Sequence, residues 1–123
     1  MPNVTIALYQ DDDGSVPIND WLGDLPAAAR LRCLARLTLL EEFGHELGRP
    51  HAAPLGDDLY ELRIKFYRVN YRILYFFHKR TAAVACHGLA KEDKVPKTDL
   101  RLAAARMARF KSDPDRHTFQ PRE

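Results

Sequence analysis

The first half of the chain has a strand pattern followed by two helix patterns. Val4–Tyr9 is rich in β-branched and aromatic residues, which is typical of a strand. Ser15 and Pro17 predict the capped start of a short helix. A longer helix is predicted over Ala27–Phe43, ending at Gly44, and a loop of about a dozen residues rich in Gly and Pro follows it. The apolar positions of the longer helix are Leu31, Leu34, Leu37 or Thr38, Leu40 and Phe43.

From Leu59 the period of apolar residues changes to two, which predicts strands. Two more strands are predicted over Tyr71–Phe77 and Ala82–Leu89, and the short connections indicate antiparallel neighbours. Pro96 marks the start of a last helix whose apolar stripe ends at Phe110. The order β-α-α-β-β-β-α predicts an α+β fold in which a small antiparallel sheet packs against N-terminal helices and a C-terminal helix. We expect one domain over residues 1–111 and a polar, loosely ordered tail over residues 112–123.

Composition places this 123-residue chain among ordinary globular proteins, with 46% hydrophobic and 29% charged residues. The sequence has no apolar run long enough to cross a bilayer and no signal peptide, so a cytoplasmic location is expected. Cys33 and Cys86 form no CxxC pair and are expected to be small buried hydrophobic residues rather than a disulfide or metal ligands.

The net charge of +2 is divided unevenly along the chain. Residues 1–58 contain 4 Lys/Arg and 10 Asp/Glu, whereas residues 59–123 contain 15 Lys/Arg and 7 Asp/Glu. The two halves therefore carry −6 and +8. Salt screens the remote acidic half over about 8–10 Å, so the basic half can bind phosphates at short range, although two solvated surfaces would show the same split.

The cations that draw attention lie on the predicted strands. Arg63 and Lys65 are two residues apart and therefore leave the same face, and Arg72 on the next strand can complete a cationic triangle there. Such a group can hold a phosphate and neutralise charge in a phosphoryl-transfer transition state. From the residues alone, a solvated outer face explains the same pattern.

Other candidate residues are less specific. His87 lies on a predicted strand, where a histidine is either a structural hydrogen-bonding residue or a general base. Tyr67 and Tyr71 are candidates for stacking on bases. We find no HExxH, no CxxC pair, no acidic cluster at metal-ligand spacing and no glycine-rich phosphate loop, so neither a metal nor another cofactor is predicted.

Four segments of the second half together resemble a known family. PLGDDLYELR, YRILYFF, HGLAKEDKVP and DLRLAAARMARF look like the HigB-like, phage-derived branch of the RelE/ParE toxin superfamily, in register over roughly residues 50–111. The resemblance implies a RelE-like fold and a metal-independent endoribonuclease of a type II toxin–antitoxin system. It also implies that the toxin cuts mRNA, commonly on the ribosome, and has a cognate antitoxin, often a small helix-turn-helix protein.

The resemblance also implies site residues. Arg63 and Lys65 match the strand pair that grips RNA, Arg72 matches the arginine at the scissile phosphate, and Lys91 matches the lysine that closes the last strand. Glu92 departs from the pattern, since related toxins have a second cation there. The catalytic residues are therefore predicted to be Arg63, Lys65, Arg72, Lys91 and His87, and the RNA-binding residues Arg68, Tyr71, Lys94, Lys97 and Arg101.

Three functions fit the sequence. The first is inhibition of translation and growth through mRNA cleavage. The second is ParE-like inhibition of DNA gyrase without catalysis, because one scaffold hosts both activities. The third is a degenerate toxin that keeps only its antitoxin-binding surface.

Overall fold

A computed structural model describes residues 3–90 and 93–120, and it has a five-stranded sheet with helices on both faces. The strands are β1 (Thr5–Leu8), β2 (Ala52–Gly56), β3 (Leu59–Phe66), β4 (Val69–His78) and β5 (Ala82–Ala90). The helices are α1 (Pro17–Gly23), α2 (Ala27–Phe43) and α3 (Lys97–Ser112), and Gly44–Glu46 forms one turn of 3₁₀ helix after α2.

The sheet has the strand order β1-β5-β4-β3-β2. Strands β2 to β5 form an antiparallel meander, which the short connections predict for β3 to β5, whereas β1 runs parallel to β5. The mixed α+β architecture and the C-terminal helix confirm the predicted fold class, which is consistent with a RelE-like fold.

Strand β2 corrects the prediction of an irregular loop before Leu59. Ala52–Gly56 pairs with β3 through a two-residue turn in which Asp57 and Asp58 have φ values of 53° and 68°. Asp tolerates this left-handed conformation better than most residues, and it matches the hairpin twist. Pro54 concealed the strand in the sequence, but β2 is an edge strand, where a missing N–H is tolerated.

The first face of the sheet packs against α1 and α2. Trp21 of α1 lies directly on Gly88 of β5, where an added Cβ would come within 2.2 Å of the indole ring. The same indole meets the Tyr71 ring edge to face, with 6.2 Å between the ring centroids. This contact depends on the absence of a side chain at Gly88 and fixes α1 on β5.

Helix α2 has the predicted bounds, but its buried face matches the predicted apolar positions only at Leu37 and Leu40. Leu31, Leu34 and Phe43 are exposed, whereas its buried residues are Ala29, Cys33, Leu37 and Leu40. The buried set follows a spacing of four, four and three residues, which selects one stripe among several apolar positions. The many leucines of α2 made its orientation ambiguous in the sequence.

The second face of the sheet packs against α3. Ala103 and Phe110 are buried there, and the predicted stripe is completed by the partly buried Leu100, Ala104 and Met107. An extra residue, Cys86, bulges from β5, because Leu74 pairs with His87 and Tyr75 pairs with Ala85. Cys86 and the adjacent His87 therefore both lie on the α3 side.

The described part of the predicted tail after α3 packs against β1 instead of being loosely ordered, and residues 121–123 lie outside the described residues. Tyr9 and Thr118 form an antiparallel bridge, and the Phe119 amide donates to the Leu8 carbonyl at 2.9 Å. His117 is buried and stacks on the Tyr9 ring at 5.5 Å between centroids. The C-terminal segment thus covers the outer edge of the sheet.

The prediction that Ser15 caps α1 was wrong. The Ser15 hydroxyl and amide both donate to the Asp13 carboxylate, and Val16 occupies the N-cap position of α1.

Among the described residues, no helix has the length and apolar character needed to span a bilayer.

Candidate functional site

A cationic cleft of about 570 Å³ opens at the edge of the sheet beside β3 and β4. Four of the described residues that line it are cationic, and none is acidic. The lining consists of Arg36, Pro50, His51, Arg63, Ile64, Lys65, Asn70 and Arg72. Such a surplus of positive charge on concave walls favours an anionic ligand.

Strand pairing explains why the cleft lies at this place. Strand β2 begins opposite Leu62, so the rest of β3 continues past it and forms a wall of the cleft. The backbone at Arg63 is held from two sides, since its amide donates to the His51 carbonyl at 2.8 Å and its carbonyl accepts from Arg36 of α2. Helix α2 thereby contributes a cation to a cleft that is otherwise lined by strand residues and by the segment before β2.

Arg63 and Arg72 are direct cross-strand partners, and Glu61 lies between their guanidinium groups. Arg63 donates from Nε and Nη2 to Glu61 Oε2 at 3.1 and 2.9 Å. Arg72 donates from Nη1 to Glu61 Oε1 at 2.9 Å. We call these three residues the arginine cluster. One carboxylate thus pairs with two arginines, which leaves a formal charge of +1.

Burial differs sharply within the arginine cluster. Only 4% of the Glu61 side chain and 13% of the Arg72 side chain are exposed, against 40% for Arg63. The Arg72 Nε–H is buried and has no hydrogen-bond partner among the described residues. Burying these charges is costly unless they are paired, so the ion pairs with Glu61 hold Arg72 in a site that water scarcely reaches.

Lys65 and Arg68 occupy more exposed positions. Lys65 is exposed on β3 and lines the cleft, on the same face as Arg63, as the alternation predicts. Arg68 and Tyr67 form the exposed turn between β3 and β4, and neither is among the residues that line the cleft. The structure therefore brings Arg63, Lys65 and Arg72 together but leaves Arg68 at the margin.

His87 belongs to a second polar group beneath α3. Arg106 donates from Nη1 to His87 Nδ1 at 3.1 Å and to the Cys86 carbonyl at 2.8 Å. The other ring nitrogen, Nε2, lies 2.7 Å from Asp99 Oδ1. Since Arg106 is a donor, Nδ1 accepts and Nε2 carries the proton that it donates to Asp99. We call His87, Asp99 and Arg106 the histidine cluster.

The geometry of the histidine cluster bears directly on the predicted role of His87. Both ring nitrogens are engaged by α3, and only 13% of the side chain is exposed. A general base needs a ring nitrogen within reach of the substrate. The arrangement therefore favours the structural interpretation of His87, which joins β5 to α3.

Tyr71 corrects the prediction of an RNA contact. Its side chain is buried on the first face of the sheet, among residues of α1 and α2, and away from Arg63 and Arg72. On β4, Tyr71 directly precedes Arg72, and successive side chains point to opposite faces. One of the two residues therefore had to leave the cationic face.

Four predicted site residues remain, and the structure describes three of them. Lys94, Lys97 and Arg101 are exposed and do not line the cleft. Lys91 and Glu92 lie outside the described residues.

Sequence reasoning missed Glu61 and several residues of the cleft lining, among them Arg36 and His51. Glu61 alternates with Arg63 and Lys65, so its place on their face was visible, but nothing in the pattern showed that it would be buried against both arginines. Arg36 and His51 reach the cleft from α2 and from the segment before β2. Only the tertiary packing brings these elements beside β3, so no local signal could identify them.

Two predictions remain, one about the two cysteines and one about a metal site. Cys33 and Cys86 are buried and free, as predicted, and burial raises the pKa of Cys33 to about 11 and that of Cys86 to about 12. Within the described part of the chain, no group of three or more His, Cys, Asp or Glu side chains comes together as metal ligands would.

Comparison with known proteins identifies a family. No curated protein matches the chain significantly. A family model described as phage derived protein Gp49-like (DUF891) matches residues 20–108, well over half of the chain. The match spans the helices α2 and most of α3, all of β2 to β5, and every cationic residue of the cleft. The chain therefore belongs to this Gp49-like family of phage-derived proteins, a toxin-like family of the RelE/ParE superfamily found in toxin–antitoxin systems.

Proposed function

We propose that this protein is the toxin of a type II toxin–antitoxin system and acts as a metal-independent endoribonuclease on mRNA. The observation that carries the proposal is the arginine cluster, in which two cross-strand arginines are fixed by one buried carboxylate beside a cationic cleft. Family membership supports the toxin, and the charges of the cleft support an RNA backbone as its ligand. The narrower assignment to the HigB-like branch stays a prediction.

The chemistry requires stabilisation of charge more than it requires a metal. The RNA 2′-hydroxyl attacks the adjacent phosphorus, the bond from phosphorus to the 5′-oxygen breaks, and the products carry a 2′,3′-cyclic phosphate and a 5′-hydroxyl. The 2′-hydroxyl proton passes to solvent, and solvent protonates the leaving oxygen. Negative charge accumulates on the phosphate oxygens, where the guanidinium groups of Arg63 and Arg72 and the ammonium group of Lys65 offset it.

Rigidity of the cationic groups gives this proposal its physical basis. Donors fixed before the substrate arrives need no reorganisation during the reaction, which is the condition for strong electrostatic stabilisation. Arg72 meets this condition because it is largely buried and bonded to Glu61. Arg63 is more exposed but is held by the same carboxylate, whereas the exposed Lys65 can follow the RNA backbone into the cleft.

The partners follow from the same proposal. The substrate is mRNA, free or bound in the ribosomal A site, and a cognate antitoxin of the small helix-turn-helix type neutralises the toxin. The exposed cations of α3, Lys97 and Arg101, supply a second, weaker contact with RNA phosphates.

The decisive experiment is regulated expression in a bacterial host, with mapping of the 5′ ends of cellular mRNA. The wild type is compared with Arg72→Ala and with Arg116→Ala, a matched loss of an exposed arginine that pairs with Asp12 at the opposite edge of the sheet. We expect growth arrest and new mRNA ends with the wild type and Arg116→Ala, and neither with Arg72→Ala. Circular dichroism and thermal melting of the purified variants establish that each is folded.

Each contrary result has a definite meaning. Folded, fully toxic Arg72→Ala removes Arg72 from the site. Arrest with intact mRNA, accompanied by a DNA-damage response, replaces the nuclease with gyrase inhibition. Absence of arrest together with retained antitoxin binding indicates a degenerate toxin.

A further inference from the structure

We infer that Glu61 is a positioning residue, which holds the guanidinium groups of Arg63 and Arg72 in the arrangement that receives one phosphate. The inference rests on the proposed function of the cleft and adds a residue to which neither the sequence pattern nor the family match gives a role. It starts from the burial of Glu61, of whose side chain only 4% is exposed, and from its bonds to both arginines.

The two arginines need such a residue because they face each other. Arg63 and Arg72 are directly opposite on β3 and β4, and like charges in that relation repel and destabilise the pair. Each long side chain would otherwise turn to a separate rotamer and toward solvent. A carboxylate between them replaces repulsion with two attractions and selects one rotamer for each arginine.

The bonds to Glu61 also determine which edge of each guanidinium is left for a ligand. Arg63 uses its Nε–Nη2 edge on Glu61, so Nη1 lies on the side turned away from the carboxylate. Arg72 uses Nη1, so its contact with Glu61 leaves Nη2 uncommitted to the carboxylate. Glu61 thus decides which N–H groups can point toward a phosphate in the cleft.

Substitution with glutamine separates positioning from simple charge balance. Glu61→Gln keeps the shape, but its amide NH₂ is a donor and repels a guanidinium, so it can accept from only one arginine well. The cleft gains one positive charge and therefore keeps or strengthens its general attraction for RNA. If Glu61 only reduced the charge, the variant would bind and cleave better. If it positions the arginines, the variant binds but cleaves poorly.

The experiment measures affinity and cleavage separately. Purified wild type, Glu61→Gln and Glu61→Asp are compared with Glu42→Gln, which makes the same charge change at an exposed position of α2. Affinity is measured with a 2′-O-methyl oligonucleotide that cannot be cleaved, and single-turnover cleavage with the matching RNA, free or on the ribosome. We expect Glu61→Gln to keep its affinity and to cleave on the order of 10- to 100-fold more slowly. Glu61→Asp, which keeps the charge but is shorter, should recover part of this loss.

An NMR measurement on the wild type keeps the inference testable if Glu61→Gln does not fold. The Arg63 Nε–H signal, assigned by its loss in Arg63→Lys, should exchange slowly with water because it is bonded to Glu61. An Nε–H that exchanges as fast as that of Arg68, which is exposed in the turn between β3 and β4, would overturn the inference. So would unchanged or faster cleavage by Glu61→Gln, or a cleavage loss that only follows its folded fraction.

Failure of the proposed function has a different signature. If the wild type cleaves no RNA, the nuclease proposal fails, and the slow or fast exchange of Arg63 Nε–H still decides whether Glu61 fixes the arginine. If the wild type cleaves RNA and Glu61→Gln cleaves equally well, the nuclease stands and the role of Glu61 falls.

Discussion

The arginine cluster and the histidine cluster lie on the same face of one sheet, yet they are arranged in opposite ways. In the arginine cluster, one buried carboxylate serves two cations, and both cations line an open cleft. In the histidine cluster, His87 is bonded on both sides by residues of α3, and Arg106 also binds a backbone carbonyl. The arginine cluster has a net positive charge beside an open cleft. The histidine cluster uses its hydrogen bonds to join β5 to α3.

The difference shows how to separate a site from a structural network. Both clusters contain arginine and a carboxylate, and the sequence predicted catalytic residues in both. Helix α3 covers only one end of the second face, under Leu74 and Phe76, and leaves the other end open beside Arg72. Polar groups under the helix must pair with each other, whereas those beyond it can pair with a ligand.

The largest expected effect is the loss of activity in Arg63→Ala. This change removes one of two fixed guanidinium groups but leaves Glu61 paired with Arg72, so the fold should persist. Single-turnover RNA cleavage should fall on the order of 100-fold or more. Arg63→Lys keeps the charge but loses the bidentate contact with Glu61, so its cleavage rate should lie between those of the wild type and Arg63→Ala. A folded Arg63→Ala with wild-type cleavage would erase the distinction between the clusters.

Arg106→Ala should instead act on stability. It removes the donor to His87 Nδ1 and to the Cys86 carbonyl and leaves both acceptors unpaired beneath α3. We expect the free energy of unfolding in urea to fall by about 2–3 kcal/mol. Cleavage per folded molecule should stay close to the wild-type value. Lys111→Ala, a loss of an exposed cation in the last turn of α3, is the control and should change neither quantity appreciably.

An effect of intermediate size is expected at alkaline pH, where the two buried thiols should lower the free energy of unfolding. Burial raises the pKa of Cys33 to about 11 and of Cys86 to about 12, from 9.0 for the unshifted thiol. Above pH 9 the unfolded chain loses thiol protons that the folded chain retains, so stability is full below pH 9 and declines as pH rises. The free energy of unfolding should fall by about 1 kcal/mol per thiol for each pH unit above 9. Urea titrations at pH 8 and pH 10 measure it, and in Cys86→Ala the decline should be smaller.

The smallest effects are expected at the exposed cations of α3. Lys97→Ala and Arg101→Ala should each weaken RNA binding by about twofold to threefold and reduce the salt slope of log K by about 1. Stability and cleavage of bound RNA should be unchanged. An effect as large as that of Arg63→Ala would extend the site from the cleft onto α3.

Much of the fold could be predicted because its signals are local. The alternation over β3, the bounds of α2 and the start of α3 after Pro96 follow from spacing and from Pro and Gly alone. Strand β2 was missed because Pro54 and two glycines resemble a loop, and its edge position appears only when the sheet is assembled. The tail was misjudged for a similar reason, since its partner β1 lies at the other end of the chain.

Local signals likewise predicted only some of the residues of the site. Alternation placed Arg63 and Lys65 on one face, and the cross-strand position of Arg72 confirms the predicted triangle. Alternation also places Tyr71 on the opposite face, because it directly precedes Arg72 on the same strand, but the prediction of an RNA contact did not take this into account. His87 required the bulge at Cys86, which adds one residue to β5 and changes the face of every residue beyond it. A one-residue irregularity of this kind leaves no periodic signal.

The parallel pairing of β1 with β5 has a consequence for the order in which the protein can form. Thr5 pairs with Ala82, so β1 must wait for β5, which follows every other strand of the sheet in the chain. The meander β2 to β5 can assemble by local pairing, but β1 closes the sheet only through a contact that spans most of the chain, which is a slow kind of step. Because the C-terminal segment also covers β1, nascent chains that end before this segment have an incomplete sheet edge. Closure of the sheet at β1 therefore has to follow synthesis of β5 and of the segment after α3.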